Sequence, residues 1–358
     1  MNEAAWFHRI DPTLLDLGFM QIRWYGVSYL AGFAVAGLIL FLLAKKRRIL
    51  IPPEHTLDAI LIFVAGVVLG GRLGYCLFYD PTLFVTFTKS FPFWNLFAIQ
   101  KGGMASHGAF VGVVAAAWWI SRGFRREDGT LAGRAPTLHI ADLSCLIAAP
   151  GLLFGRLANF INGELLGRVV AAPGEPAPWW AVRYPQELVS EHTLTLTAEQ
   201  QGRLLALVDE VRQKGESDGE GLDRLLHIVR TESTAAANEL AARLEPLVSA
   251  RHPSQLYQAA AEGIVVGGFL WLIWSRPQRP GVITAAFLIL YGILRILVEQ
   301  YWRLPDPQLT TQYILGLTRG QLLSVGMLAA GTLLLTFSLR GTGPKFSWRT
   351  CPSNHDST

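Results

Sequence analysis

Charge is scarce in this chain: only 16% of its 358 residues are Asp, Glu, Lys or Arg, where soluble domains carry about 25%. With 51% hydrophobic residues and a mean hydropathy of +0.32, the composition is that of a membrane protein. Cysteine is nearly missing. The three present, Cys76, Cys145 and Cys351, stand in two apolar runs and in the C-terminal tail, with no CxxC or Cys/His spacing. That argues against a disulfide framework and a zinc site. The opening residues, MNEAAWFHRIDP, lack an apolar core, so no cleavable signal peptide is expected. There is no GxSxG motif and no Ser–His arrangement with an acid, which weakens an intramembrane serine hydrolase. The halves show no inverted repeat, which weakens a transporter. The net charge of +4 is gathered in short loops and calls for no nucleic-acid partner.

Long apolar runs are abundant. Seven follow one another, at about residues 24–44, 57–79, 104–121, 139–154, 256–274, 282–298 and 321–339. A span needs about 20 residues, so the fourth is marginal unless it continues past residue 154 to carry Arg156 and Asn159. The expectation is an all-α polytopic membrane protein with seven transmembrane helices. The 11 Trp suit interfacial belts. Basic residues follow every second span: Lys45, Lys46, Arg47 and Arg48; Arg122, Arg125, Arg126 and Arg134; Arg276 and Arg279; Arg340, Lys345 and Arg349. Short basic loops stay in the cytoplasm. The N-terminus is therefore expected outside and the C-terminus in the cytoplasm. The chain divides into an interfacial arm (1–23), spans one to four (24–160), an extramembrane head (161–250), spans five to seven (251–340) and a cytoplasmic tail (341–358).

The head carries 8 Lys and Arg against 14 Asp and Glu over residues 161–250. From 197 to 248 it reads as two or three amphipathic helices. Thr197 and Gln200 match a capping box, and GESDGEG at 215–221 is a break. This small helical insertion is either a lid or docking surface, or a tolerated insertion; the low cost of lengthening a surface loop favours the second.

Several ionisable residues lie within or at the ends of the apolar runs: Arg72, His107, Arg156, Glu262, Arg295 and Glu299. Such groups normally face a bundle interior or a wet cavity and mark function. Arg72 could equally be a packing residue paired with a carboxylate, and Glu262 reads as a structural hydrogen-bonding partner. Arg295 and Glu299 are four apart, so they share a helix face and could pair. Tyr291 extends that polar stripe by a turn. His107 follows Gly102 and Gly103 and precedes Gly108 and Gly112, small residues that suit close helix packing or the access of a bulky ligand. The densest polar stretch is GRLANFINGELLGR at 155–168, with two Arg, two Asn, a Glu and three Gly. It could be only a helix end and a turn. Intramembrane arginines beside a histidine point instead to an anionic headgroup, since the guanidinium fork binds phosphate strongly where water is scarce. A lipid-processing enzyme and a lipid or anion transporter both satisfy that; a non-catalytic scaffold is a third possibility.

These residues resemble one family, the prolipoprotein diacylglyceryl transferases of the bacterial inner membrane. Besides GRLANFINGELLGR, the blocks RWYG (23–26), GGRLGY (70–75), GGMASHGAFVG (102–112), RHPSQLYQ (251–258) and YGILRILVEQYWRLPD (291–306) follow the family's order. The likeness covers most of the chain except about 189–250. Ala109 and Ala158 replace frequent glycines, and Gln258 stands where glutamate is common. Arg303 follows Glu299 by one residue more than usual, about a third of a helical turn.

The resemblance implies transfer of the diacylglyceryl group from phosphatidylglycerol to the lipobox cysteine thiol of a prolipoprotein, giving a thioether and glycerol phosphate. Its partners would be phosphatidylglycerol, prolipoprotein signal peptides and membrane lipids. No cofactor and no metal is implied. The active site would face the outer leaflet of the inner membrane. Arg156 and Arg295 would take the phosphate. His107 would be the base or orient the cysteine; alternatively Glu299 is the base and His107 is structural. Tyr25, Asn159, Glu164, Gly167, Tyr291 and Arg303 would shape the headgroup site, and His252, Ser254 and Gln255 would be structural.

Overall fold

The computed structural model describes residues 5–18, 21–89, 92–99, 102–190, 194–305, 313–314 and 316–349; Cys351 and the end of the tail lie outside them. The helices are α1 (Trp24–Lys45), α2 (Thr56–Phe78), α3 (Ser106–Ser121), α4 (Thr137–Asn162), α5 (Ala198–Val211), α6 (Asp218–Thr231), α7 (Ala235–Leu244), α8 (Ser254–Gln258), α9 (Val266–Trp274), α10 (Val282–Tyr301) and α11 (Arg319–Arg340). Among the described residues, six stretches are long and apolar enough to cross a membrane: Trp24–Lys45, Pro53–Phe78, Thr137–Asn162, Ser254–Trp274, Val282–Tyr301 and Arg319–Arg340. The third apolar run forms the shorter helix Ser106–Ser121, of 16 residues. The protein is a multi-pass membrane protein. The fourth run does continue into the polar stretch: α4 passes through Pro150, which has no N–H for the Leu146 carbonyl, and ends at Asn162.

The chain forms two compact units. One contains residues 31–151, 265–290 and 327–358. Its α2 and α3 meet through glycines spaced by four. A Cβ on Gly112 would lie 1.9 Å from the Gly66 carbonyl oxygen, and one on Gly108 2.3 Å from that of Gly70. Small residues at this spacing let two backbones touch, so Gly108 and Gly112 serve helix packing. Among the described residues, Arg72 pairs with no carboxylate. Its Nε donates to the Leu96 carbonyl (2.7 Å), its Nη2 to Asn95 (2.6 Å) and its Nη1 to Gly102 and Gly103 (2.7 and 2.9 Å). The irregular chain there leaves carbonyls without a helical partner, and one guanidinium with five N–H groups collects them. Asp142 does the converse. It accepts from the Gly281 and Thr284 amides (2.8 and 2.7 Å) and the Thr284 hydroxyl (2.7 Å), closing the start of α10. Cys76 and Cys145 are buried free thiols.

The other unit contains residues 1–30, 152–264 and 291–326. Its sheet has the order Trp6–Phe7, Val182–Arg183, Ala250–Arg251, Val169–Ala171, with the first pairing parallel and the others antiparallel. It ties the chain just after the signature stretch to the chain just before α8. The insertion folds as α5, α6 and α7 around Leu207, Leu225, Val229, Leu240 and Leu244, with Phe7 of the N-terminal arm packed against them. Thr197 and Gln200 form the expected capping box, and Ser217 and Glu220 form a second one within the 215–221 break.

Candidate active site

The signature stretch changes conformation midway. Through Asn162 it is α4. Beyond, Gly163 (φ +71°) and Leu165 (φ +56°) turn the chain back. A leucine in the left-handed region persists only where its surroundings hold it. Here the Ser254 hydroxyl donates to the Leu165 carbonyl (3.0 Å), and the Gln255 amide donates to that of Glu164. Gln255 in turn accepts from the Tyr184 hydroxyl (3.1 Å). The start of α8 is therefore a scaffold for the turn. Gly167 is required by the chain's own backbone: a Cβ there would lie 2.1 Å from the His252 carbonyl oxygen. The Gly167 carbonyl accepts from buried Arg251 (3.0 Å), itself paired with buried Glu187 (2.5 Å).

Four charged side chains come together in this unit. Arg156 donates from Nε and Nη2 to the two oxygens of Glu262, at 2.8 and 3.3 Å. Glu262 lies in the π-helical segment Ala259–Val265 between α8 and α9; such one-turn widenings are frequent at functional sites. The second arginine, Arg295 on α10, lies 3.8 Å from Glu262 and 3.4 Å from Glu299. Glu299 also accepts from the Thr318 hydroxyl. The side-chain exposures are ordered: 16% and 15% for Arg156 and Arg295, but 0% and 3% for Glu262 and Glu299. The carboxylates are almost wholly buried, and each arginine side chain keeps a small exposed share. Such an arrangement compensates the arginines in apolar surroundings while leaving them able to meet an anion.

Apart from His107, the remaining expected residues belong to the same unit. The Asn159 amide donates to Glu164 (3.2 Å), as does that of Asn162 (3.0 Å). Tyr25 lies beside Asn159 and Glu164, and Tyr291 beside Arg156. Gln258 donates to Glu262 (3.3 Å), which an amide can do and an ionised carboxylate cannot. Buried Arg303 pairs as a β-bridge with Gly167. The extra residue before it does not rotate it around a helix. The helix α10 ends at Tyr301, and the amides of both Trp302 and Arg303 donate to the Val298 carbonyl, at 2.9 Å each, so Arg303 stands in a turn beyond the helix. His107 belongs to the other unit, at the start of α3, where its ring meets Phe78 edge-on (5.1 Å) and Tyr79 at a tilt (5.8 Å).

Sequence reasoning gave Glu262 a structural part and overlooked Thr318. The signal for Glu262 was a lone acid in the run AAAEGIVV. Nothing in the sequence singles out Thr318.

A family model described as prolipoprotein diacylglyceryl transferase matches residues 12–337. Among curated proteins named phosphatidylglycerol–prolipoprotein diacylglyceryl transferase, that of Bdellovibrio bacteriovorus is 37% identical over 94% of this chain and 95% of its own length. Those of Ruegeria pomeroyi and Verminephrobacter eiseniae are 36% and 34% identical, over 95% and 91% of this chain and 98% and 92% of theirs. A family model spanning residues 12–337 and relatives 34–37% identical over more than nine-tenths of the chain leave one assignment: the protein belongs to the prolipoprotein diacylglyceryl transferase family.

Proposed function

We infer that the protein transfers the diacylglyceryl group of phosphatidylglycerol to the lipobox cysteine of prolipoproteins. The observation that carries this is the pair Arg156 and Arg295, partly open and backed by buried Glu262 and Glu299, in a chain of this family. The cysteine sulfur bonds to the glycerol carbon that bears the phosphate. The carbon–oxygen bond breaks, glycerol phosphate leaves with the electron pair, and the thiol proton passes to a base. The thiolate is the competent nucleophile, and the leaving phosphate gains charge as the bond breaks, which fixed cations stabilise.

In this reading Arg156 and Arg295 hold the phosphate. Tyr25, Asn159, Glu164, Tyr291 and Arg303 shape the headgroup site, with Gly167 permitting the fold of its wall. His107 takes the thiol proton or orients the cysteine. Glu299 is the alternative base, but its engagement by Arg295 and Thr318 favours a part in holding Arg295. In the same reading the chain crosses the membrane seven times, with the short α3 as the third span, and the basic loops keep the C-terminus in the cytoplasm and the N-terminus outside. The site then opens toward the outer leaflet of the inner membrane, where signal peptides and phosphatidylglycerol meet.

Purified enzyme given phosphatidylglycerol and a lipobox peptide should form the thioether and release glycerol phosphate in equal amounts. Lipid hydrolysis without thioether, or lipid flux across vesicles without chemical change, would overturn the reading. A near-normal rate for His107→Asn would remove His107 as the base.

A further inference from the structure

A helix end leaves its last four carbonyls without partners inside the helix. In α4 these belong to Asn159, Phe160, Ile161 and Asn162, in the middle of the signature. Asn159 accepts from the Glu164 amide (3.0 Å), and Phe160 from the Gly163 amide (3.0 Å) and from His8 Nε2 (2.8 Å). The other two are met from the insertion. Nη2 of Arg230, in the last turn of α6, donates to Ile161 at 3.3 Å and Asn162 at 3.2 Å, and to Ile10 of the N-terminal arm at 3.0 Å. Arg9 then ties the arm back to α6, donating to the Val229 carbonyl (2.8 Å) and the Glu232 carbonyl (3.1 Å). A cation at a helix C-terminus also opposes the helix dipole.

We propose that Arg230 is a positioning residue: from the head insertion it fixes the C-terminal end of α4, and with it Asn159 and Glu164 at the headgroup site. This rests on the transferase reading. The insertion is then part of the machinery that shapes the substrate site. The other arginines of the insertion have different surroundings. Arg203, for example, forms an exposed pair with Glu199 on its own helix, the kind of surface pair that contributes little.

The test compares full-length wild type, Arg230→Ala, Arg230→Lys and, as a control, Arg203→Ala, by steady-state transfer kinetics and by hydrogen exchange over residues 158–166. For Arg230→Ala the KM for phosphatidylglycerol should rise about tenfold or more, with kcat changed less, and the Gly163 and Glu164 amides should exchange faster. Lysine, whose ammonium has three donors, should restore most of both; Arg203→Ala should change neither. An unchanged KM with a reduced active fraction would mean that Arg230 only supports folding, and would overturn the proposal, as would unchanged exchange. Should alanine prevent folding, Arg230→Gln, which can still donate, is read by the same two measurements. If wild type transfers nothing, the transferase reading fails, while the exchange data still decide whether Arg230 holds the end of α4.

Discussion

Both units bury charge, and they use it differently. In the unit containing α2 and α3, Arg72 gives its donors to backbone carbonyls and Asp142 receives a helix start. Their partners are main-chain groups of fixed position, so the charges serve as local clamps. In the unit containing the signature, Arg156 and Arg295 instead meet carboxylates, and these two side chains keep a small exposed share while Glu262 and Glu299 keep almost none. An intramembrane charge is thus no sign of chemistry by itself. What distinguishes a site is whether its donors are already consumed by backbone or held by side chains with an edge left over.

The largest expected effect tests the second half of that contrast. Arg156→Ala should lower transfer about a thousandfold or more, measured as glycerol phosphate released by folded enzyme; substantial turnover would show that its pairing with Glu262 is structural. The next tests the first half. Arg72→Ala should cost at least about 3 kcal/mol of stability, seen as a lower melting temperature in detergent–lipid micelles, while the surviving folded protein keeps its KM for phosphatidylglycerol. Lost turnover at unchanged melting temperature would erase the distinction between the units.

The smallest effect concerns the arm of the signature unit. Burial pushes the His8 imidazole down from 6.5 to about 4. Between those values the unfolded chain takes up a proton that the folded one refuses. Stability should therefore fall as pH drops from 6.5 toward 4, by at most about 1.4 kcal/mol per pH unit, and stay level above that window. His8→Gln should flatten the dependence; an identical acid profile for that variant would place the sensitive group elsewhere.

Much of this was legible in advance because apolar length and polar density are properties of sequence. The continuation of the fourth run to Asn162 followed from a run too short to span, and the Thr197 cap from its spacing to Gln200. Arg156, Asn159 and Arg295 stood out as polar groups where such groups are costly. Other features were hidden. That Arg72 answers to carbonyls rather than a carboxylate depends on where the segments 95–96 and 102–103 fold. The insertion reads as an appendage because its helices are self-sufficient in caps and apolar faces, and only its folding against the arm brings Arg230 to Ile161 and Asn162.

The sequence by itself determined the membrane class, the family and the helices, since hydrophobic length, motif order and capping act over short stretches of chain. Tertiary structure decided which charges are partners. Glu262 lies 106 residues from Arg156, and Arg230 lies 68 residues from Asn162. A hydrogen bond operates over about 3 Å, so neither pairing exists until folding has brought the two segments together.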